Sequence, residues 1–298
     1  MYSPPYSRGV AAPALIRALR PKQWAKNVLV VAAPFAAGRL FEKSVLADVA
    51  IAFVSFCLAA SAVYLLNDLR DADKDRLHPV KKNRPIAAGQ VPPSLAIVVA
   101  VVALVLSIGL ATLARPALVW VIVTYLVIQV LYVFWLKNLP VIDLAVVASG
   151  FLLRALAGGA ATGITISDWF LLVAGFGSLF VVAGKRYSEL VNLEAEGQTI
   201  GQTRSTLLAY TPTYLRFVWT VAAAVTVMVY GLWVITVPRA STSATLISLI
   251  PFTLGLLVYA LIVDSGKGDE PETAILRNPT LLALGVLWVL SLGVTLYM

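Results

Sequence analysis

Residues 64–85 read YLLNDLRDADKDRLHPVKKNRP. An apolar run ends here in Asn67, Asp68, Asp71, Asp73 and Asp75, interleaved with Arg70, Lys74 and Arg76, and then in Lys81, Lys82 and Arg84. In a water-soluble protein such a stretch is an ordinary solvated helix end. The rest of the chain places it differently. Of 298 residues, 60% are hydrophobic and 13% are charged, where a soluble domain carries about 25% charged residues. With a mean hydropathy of +0.88, the composition is that of an integral membrane protein.

A helix needs about 20 apolar residues to cross the hydrocarbon layer. That length predicts nine spans, at 26–41, 46–66, 95–113, 117–136, 141–162, 167–184, 214–236, 245–263 and 280–297. The first is interrupted by Pro34 and Gly38. With no water in the bilayer to satisfy exposed peptide groups, the spans are expected to be α-helices, in an all-α membrane fold around a central cavity. The expected organisation is a single transmembrane domain, 1–298. It has an N-terminal interfacial segment, 1–25, and two long polar loops, 67–94 and 185–213. No cleavable signal peptide is expected, because the first 27 residues lack an apolar core. Cys57, the one cysteine, reads as a small core residue.

Lys and Arg set the expected orientation. Arg39, Lys43, Arg115 and Arg239 fall on one side and Arg154 within the fifth span. The other basic residues, among them Arg8, Arg204, Arg216, Lys267 and Arg277, lie in the N-terminus and after the even-numbered spans. That side is therefore expected to be cytoplasmic, with the N-terminus inside, the C-terminus outside and the chain in the plasma membrane. The net charge of +8 follows from this bias and from affinity for the anionic lipid bilayer, and no nucleic-acid partner is expected.

If the second helix continues past residue 70, about 100° per residue brings Asp68, Asp71 and Asp75 within about 60° of one another. Asn67 lies beside Asp71, and Asp73 points away to solvent. Such a column of oxygen ligands suits a hard divalent ion, and Mg²⁺ in particular shares its shell with substrate phosphates. A solvated acidic cap balanced by Arg70, Lys74 and Arg76 is the plain alternative. Lys81, Lys82 and Arg84 tilt the choice, because a metal-binding acidic face beside phosphate-binding bases is what a diphosphate requires.

The pattern NDxxDxxxD at Asn67–Asp75, followed by RPIAAG and set among nine spans, resembles the UbiA superfamily of intramembrane prenyltransferases. The resemblance implies two aspartate-bearing cytoplasmic loops, after spans 2 and 6. These bind a diphosphate through Mg²⁺ above a helical cavity that opens sideways to lipid. Asn67, Asp68, Asp71 and Asp75 are the implied metal ligands, with the three aspartates catalytic.

The loop after span 6 departs from that pattern. It reads GKRYSELVNLEAEG (184–197), with Lys185, Arg186 and Tyr187 beside a single well-placed acid, Glu189, and with Glu194 and Glu196 further on. Either it is a surface ion pair, or it is built for a more anionic ligand. RPKQWAKN (20–27), KKNRPIAAG (81–89) and GKRYSEL (184–190) together resemble a phosphoribosyl-transferring branch of the superfamily. In that branch the donor is 5-phosphoribosyl 1-diphosphate and the acceptor is decaprenyl phosphate, for cell-wall arabinan. The ribose 5-phosphate would then explain the basic second loop.

LIRALRPKQWAKN (15–27) is expected to form an interfacial helix, with Leu15, Ile16 and Leu19 toward lipid and Arg17 and Arg20 toward headgroups. Lys22, Lys26 and Asn27 follow at the mouth of the first span as candidate substrate contacts. In FWLKNLPVIDLAVVASGFLLRALAGG (134–159), Lys137, Asp143 and Arg154 are further candidates. Arg154, about 16 Å along the helix from Asp143, needs a cavity or a partner. Asp143 could bind substrate, pair with Lys137 or cap its helix. Gly158 and Gly159 read as close-packing positions. Two other functions stay open: a UbiA-type aromatic prenyltransferase, which wants the missing second aspartate cluster, or a transporter of an anionic lipid or metabolite. The sequence is compatible with a homo-oligomer.

Overall fold

The computed structural model describes residues 12–78, 80–195, 205–236 and 242–297. Arg8, Pro79, Glu196, Arg204 and Arg239, and with them parts of the segments 1–25 and 185–213, lie outside these residues. All regular structure among the described residues is helical: α1 (Ala12–Leu19), α2 (Ala32–Ala36), α3 (Lys43–Arg70), α4 (Ala72–Leu77), α5 (Pro93–Ala114), α6 (Pro116–Phe134), α7 (Ile142–Thr162), α8 (Asp168–Ala195), α9 (Pro212–Thr236), α10 (Thr242–Asp264), α11 (Pro271–Arg277) and α12 (Pro279–Tyr297), with a few 3₁₀ turns. Eight of these, α3, α5–α10 and α12, are long and apolar enough to cross a membrane. Prolines open α5, α6, α9, α11 and α12. There the missing N–H costs nothing and the fixed φ suits the first turn.

The first predicted span differs. Pro21–Val31 is a 3₁₀ helix, followed by only five α-helical residues, Ala32–Ala36. A 3₁₀ run of this length is unusual, and side chains from elsewhere hold it. Trp24 Nε1 donates to Ser61 Oγ at 3.1 Å, Ser61 donates to the Leu19 carbonyl at 2.9 Å, and Arg154 Nε donates to Asn27 Oδ1 at 2.7 Å. Pro34 and Gly38 (φ +70) then end the segment.

The contacts divide the described chain into two compact units. The first comprises the chain up to Pro34, Phe41–Trp135 and Leu153–Ile164. Its centre is α3 against α5, where α5 presents a stripe of small residues, Ala96, Ala103, Ser107 and Ala111. Small side chains let two backbones approach where lipid offers no hydrophobic drive to associate, and Ser107 Oγ reaches the Ser55 carbonyl at 2.8 Å. Val98, Val102 and Val105 cover the opposite, exposed face of α5. The short α1 also packs inward: Ala14 and Ala18 are buried with Leu65, Ile86 and Val91, and Leu15 and Leu19 pack against them. This corrects the expectation of a lipid-facing Leu15 and Leu19; of that trio only Ile16 is exposed.

The second unit comprises Phe35–Leu40, Leu136–Leu152 and the chain from Thr165 onward. Its core gathers Leu144, Phe180, Tyr187, Leu190, Leu215, Trp219, Tyr259 and Val263 from α7–α10. A second cluster joins Tyr230, Val234 and Leu292, with the Trp288 indole donating to Tyr230 Oη at 2.9 Å.

Candidate active site

In the first unit, α3 does not continue through the acidic motif. It ends at Arg70, with Asp71 as its cap (φ −93, ψ 5), and α4 restarts at Ala72. The expected column of three aspartates on one helix face is therefore broken, and no group of three or more metal-ligating acids, histidines or cysteines forms among the described residues. Two carboxylates converge instead. Asp68, 2% exposed, and the buried Asp75 share one guanidinium: Arg84 Nη1 lies 3.1 Å from Asp68 Oδ1 and 2.7 Å from Asp75 Oδ2. Arg20 Nη2 adds a third contact, 2.5 Å from Asp68 Oδ1. Arg20 was expected at lipid headgroups, and the buried carboxylate has claimed it instead, because a desolvated charge needs a partner. Asn67 and Asp71 are half-buried at the break, while Asp73, 93% exposed, pairs among the described residues with Arg76.

RPIAAG positions Arg84. Pro85, Ile86 and Ala87 are buried, the Ala88 and Gln90 amides donate back to Arg84 and Pro85 carbonyls at 2.8 Å, and Gly89 takes φ +71. Lys82 is exposed in the 3₁₀ turn Lys81–Asn83, and Lys22 is likewise exposed, with Lys26 half-buried. His78 accepts the Val80 and Lys81 amides at Nδ1, at 3.2 and 3.3 Å. Desolvation and the nearby Lys81 push its pKa down, so it is a neutral brace of this loop.

This donor set fits a hard divalent cation. Two buried carboxylates already close on a single positive group, and an ion held by one or two carboxylates leaves coordination positions for phosphate and water.

The second unit holds a separate charged cluster. Arg186, 3% exposed, lies with Nε 3.5 Å from Asp143 Oδ2 and donates from Nη1 to Glu189 Oε2 at 2.8 Å. Lys185 Nζ reaches Glu189 Oε1 at 3.7 Å, the helical pairing expected from the sequence. Asp143, fully buried, also accepts from the Tyr210 hydroxyl and from Thr206 Oγ1 at 3.5 Å. The ion pair of Asp143 is with Arg186, a partner that the sequence did not suggest. Lys137 is half-buried in the turn Leu136–Asn138. Burial and the Asp143 carboxylate raise the Tyr210 pKa, which keeps the hydroxyl protonated as a donor. Tyr187 stacks beneath Arg216, 5.4 Å from guanidinium to ring centre, and its hydroxyl meets Arg216 and Asp264.

Arg154 finds partners in the first unit. Besides Asn27, it donates to Tyr125 Oη at 3.2 Å and lies over the Tyr125 and Phe56 rings at 5.0 and 5.8 Å. Asn27 donates in turn to Cys57 Sγ at 3.2 Å. Both Asn27 and Arg154, candidate substrate contacts by sequence, are thus engaged with each other inside the protein. Sequence reasoning missed Tyr210, Thr206, Arg216 and Asp264; only the aromatic YTPTY run (210–214) hinted at Tyr210.

The UbiA prenyltransferase family profile matches residues 28–283, which spans most of the chain. The chain belongs to the UbiA prenyltransferase family. It is 51% identical to the decaprenyl-phosphate phosphoribosyltransferase of Corynebacterium glutamicum over 96% of this chain and 87% of that protein. To the enzyme of the same name from Mycobacterium tuberculosis it is 50% identical, over 94% and 93%. A UbiA homolog from Archaeoglobus fulgidus, solved bound to GPP and Mg²⁺, matches its fold with a TM-score of 0.70 at 19% identity, covering 95% of this chain and 99% of that one. The same homolog has also been solved bound to Cd²⁺. Family membership and eight apolar helices make this a multi-pass membrane protein of the UbiA fold.

Proposed function

We propose that this UbiA-family protein transfers 5-phosphoribosyl from 5-phosphoribosyl 1-diphosphate to decaprenyl phosphate. The products are diphosphate and decaprenylphosphoryl-5-phosphoribose, a donor for cell-wall arabinan. The observation that carries this reading is half identity, along nearly the whole chain, to relatives named for that transfer. The second cluster agrees with it: Lys185 and Arg186, held by Glu189 and Asp143, bring two bases together, which suits a donor with a 5-phosphate beyond its diphosphate.

Asp68 and Asp75, with Asn67 and Asp71 at the helix break, are the residues that hold Mg²⁺. These side chains would hold the ion, which would supply positive charge against the diphosphate leaving group. Arg84 and Lys82 on the first loop stabilise the departing charge electrostatically. An oxygen of the acceptor phosphate attacks C1 as the C1–O bond to diphosphate breaks, with inversion the simplest course. That oxygen is already anionic, so no protein base is required, in keeping with a His78 whose Nδ1 is occupied by the loop backbone.

The basic loops and the N-terminus face the cytoplasm and the C-terminus faces outside, in the plasma membrane. This orientation needs an odd number of crossings, and Pro21–Ala36 supplies the ninth. Eleven 3₁₀ residues at about 2.0 Å and five α residues at about 1.5 Å reach about 30 Å, the thickness of the hydrocarbon core.

The test uses purified protein, labelled 5-phosphoribosyl 1-diphosphate and decaprenyl phosphate, with Mg²⁺ or EDTA, and counts label in the lipid phase. Label is expected only with Mg²⁺ and is lost in Asp71→Ala. A folded wild-type protein that leaves the lipid unlabelled would overturn the reading.

A further inference from the structure

Val141 adopts φ +69. A β-branched residue in the left-handed region is a genuine outlier, since its Cβ crowds the backbone there. Strain of this kind persists only where the surroundings over-determine it, and it collects at functional sites. What holds Val141 is identifiable. Its N–H donates to the Tyr210 hydroxyl at 2.6 Å, and that same hydroxyl donates to Asp143 Oδ1. One phenol therefore ties the backbone of residue 141 to the side chain of residue 143, at the point where α7 begins. With Oδ1 fixed by Tyr210, Oδ2 of Asp143 is the oxygen that faces Arg186 Nε, 3.5 Å away, and Thr206. Arg186 then bonds Glu189 along its own helix. Tyr210 is itself oriented by stacking on Tyr214, with ring centres 5.8 Å apart and planes within 7°.

We propose that Tyr210 is a positioning residue: by holding Val141 in the left-handed conformation, its hydroxyl sets the Asp143 carboxylate and, through it, the Arg186 guanidinium that binds the phosphoribosyl donor. The inference rests on the functional reading above for the identity of the donor, while the geometry it explains stands apart from that reading. A glycine at 141 would adopt the same backbone without strain. The left-handed valine makes the conformation depend on Tyr210, and so makes the placement of Asp143 depend on it too.

The dependence predicts a pattern of epistasis. In wild-type membranes or nanodiscs with Mg²⁺, Tyr210→Phe is expected to raise KM for 5-phosphoribosyl 1-diphosphate about tenfold with kcat within about twofold, the scale of one hydrogen bond to a charged group. Val141→Gly alone leaves KM near wild type. Combined with Tyr210→Phe, it recovers about threefold of that loss, because the glycine keeps its backbone without the tyrosine while the hydroxyl's bond to Asp143 Oδ1 stays missing. Asp143→Asn raises KM as Tyr210→Phe does, but Val141→Gly does not rescue it, since that lesion lies downstream. A merely structural tyrosine would lower the folded yield without splitting KM from kcat. An unchanged KM in Tyr210→Phe, or a double variant whose KM is no lower than that of Tyr210→Phe, overturns the proposal; if Tyr210→Phe does not fold, an unchanged KM in Asp143→Asn does so.

Hydrogen exchange of the segment 183–190 separates this outcome from failure of the functional reading. If the wild-type protein transfers no phosphoribosyl group, exchange that speeds up in Tyr210→Phe and slows again in part in the double variant still supports the Tyr210–Asp143–Arg186 link. Unchanged exchange overturns it.

Discussion

Replacing Asp68 with alanine is expected to lower kcat/KM for phosphoribosyl transfer by about a hundred- to a thousandfold, while Asp73→Ala stays within about threefold of wild type. The two residues lie five positions apart in the same acidic stretch, yet their surroundings are opposite. Asp68 is 2% exposed and accepts from both Arg20 and Arg84. Its removal leaves Asp75 as the one of the two converging carboxylates still bonded to Arg84, and it takes away one of the proposed Mg²⁺ ligands. Asp73 is almost fully exposed and pairs with Arg76, one helical turn along, a contact of the kind worth at most about 1 kcal/mol. Stability should respond far less than activity. Arg20 and Arg84 are each about a quarter exposed, so their guanidinium groups regain water once Asp68 is gone. Steady-state kinetics at saturating Mg²⁺ on the two variants, prepared side by side, decides the matter. Equal losses would mean that the acidic stretch acts through its overall charge and not through a buried pair.

What was legible in the sequence was local or periodic. Eight spans stand out because apolar runs of the right length have few alternatives in a bilayer, and the solvated Asp73 and the Lys185–Glu189 pair follow from helical spacing alone. In the first span, Pro34, Gly38 and an 11-residue 3₁₀ run replace the α-helix that its hydropathy suggests. The acidic column failed for a related reason: the extrapolation assumed an unbroken α3, and the chain turns at Asp71. The remaining gaps are tertiary. Asp143 meets Tyr210 across 67 residues, Arg20 meets Asp68 across 48, and Arg154 meets Asn27 across 127. No spacing rule joins such partners. The left-handed valine at 141 runs against every propensity, so no sequence pattern could have announced it. Buried charges could be flagged as needing partners, as Arg154 was, but only the fold names the partner.

Gly158→Ala is expected to destabilise the protein by about 3 kcal/mol, the upper part of the range for overpacking. A Cβ at 158 would lie 1.9 Å from the Val30 carbonyl oxygen and 2.9 Å from Pro34 Cδ. The first of these is backbone, so no rotamer change can relieve it; α7 and the 21–36 segment must move apart. Asn27, one turn before Val30 on that segment, would then be drawn away from Arg154, and a desolvated guanidinium would lose a 2.7 Å hydrogen bond. Packing and the buried polar cluster should therefore fail together. The controls are Gly109→Ala and Gly175→Ala, where an added Cβ meets nothing within 4 Å; each should gain roughly 0.5–1 kcal/mol from the better helix propensity of alanine. Melting temperatures and the folded fraction recovered in detergent for the three variants test this. A Gly158→Ala protein as stable as its controls would mean that the 21–36 segment yields freely, and that the close approach of Val30 to α7 does not hold Asn27 against Arg154.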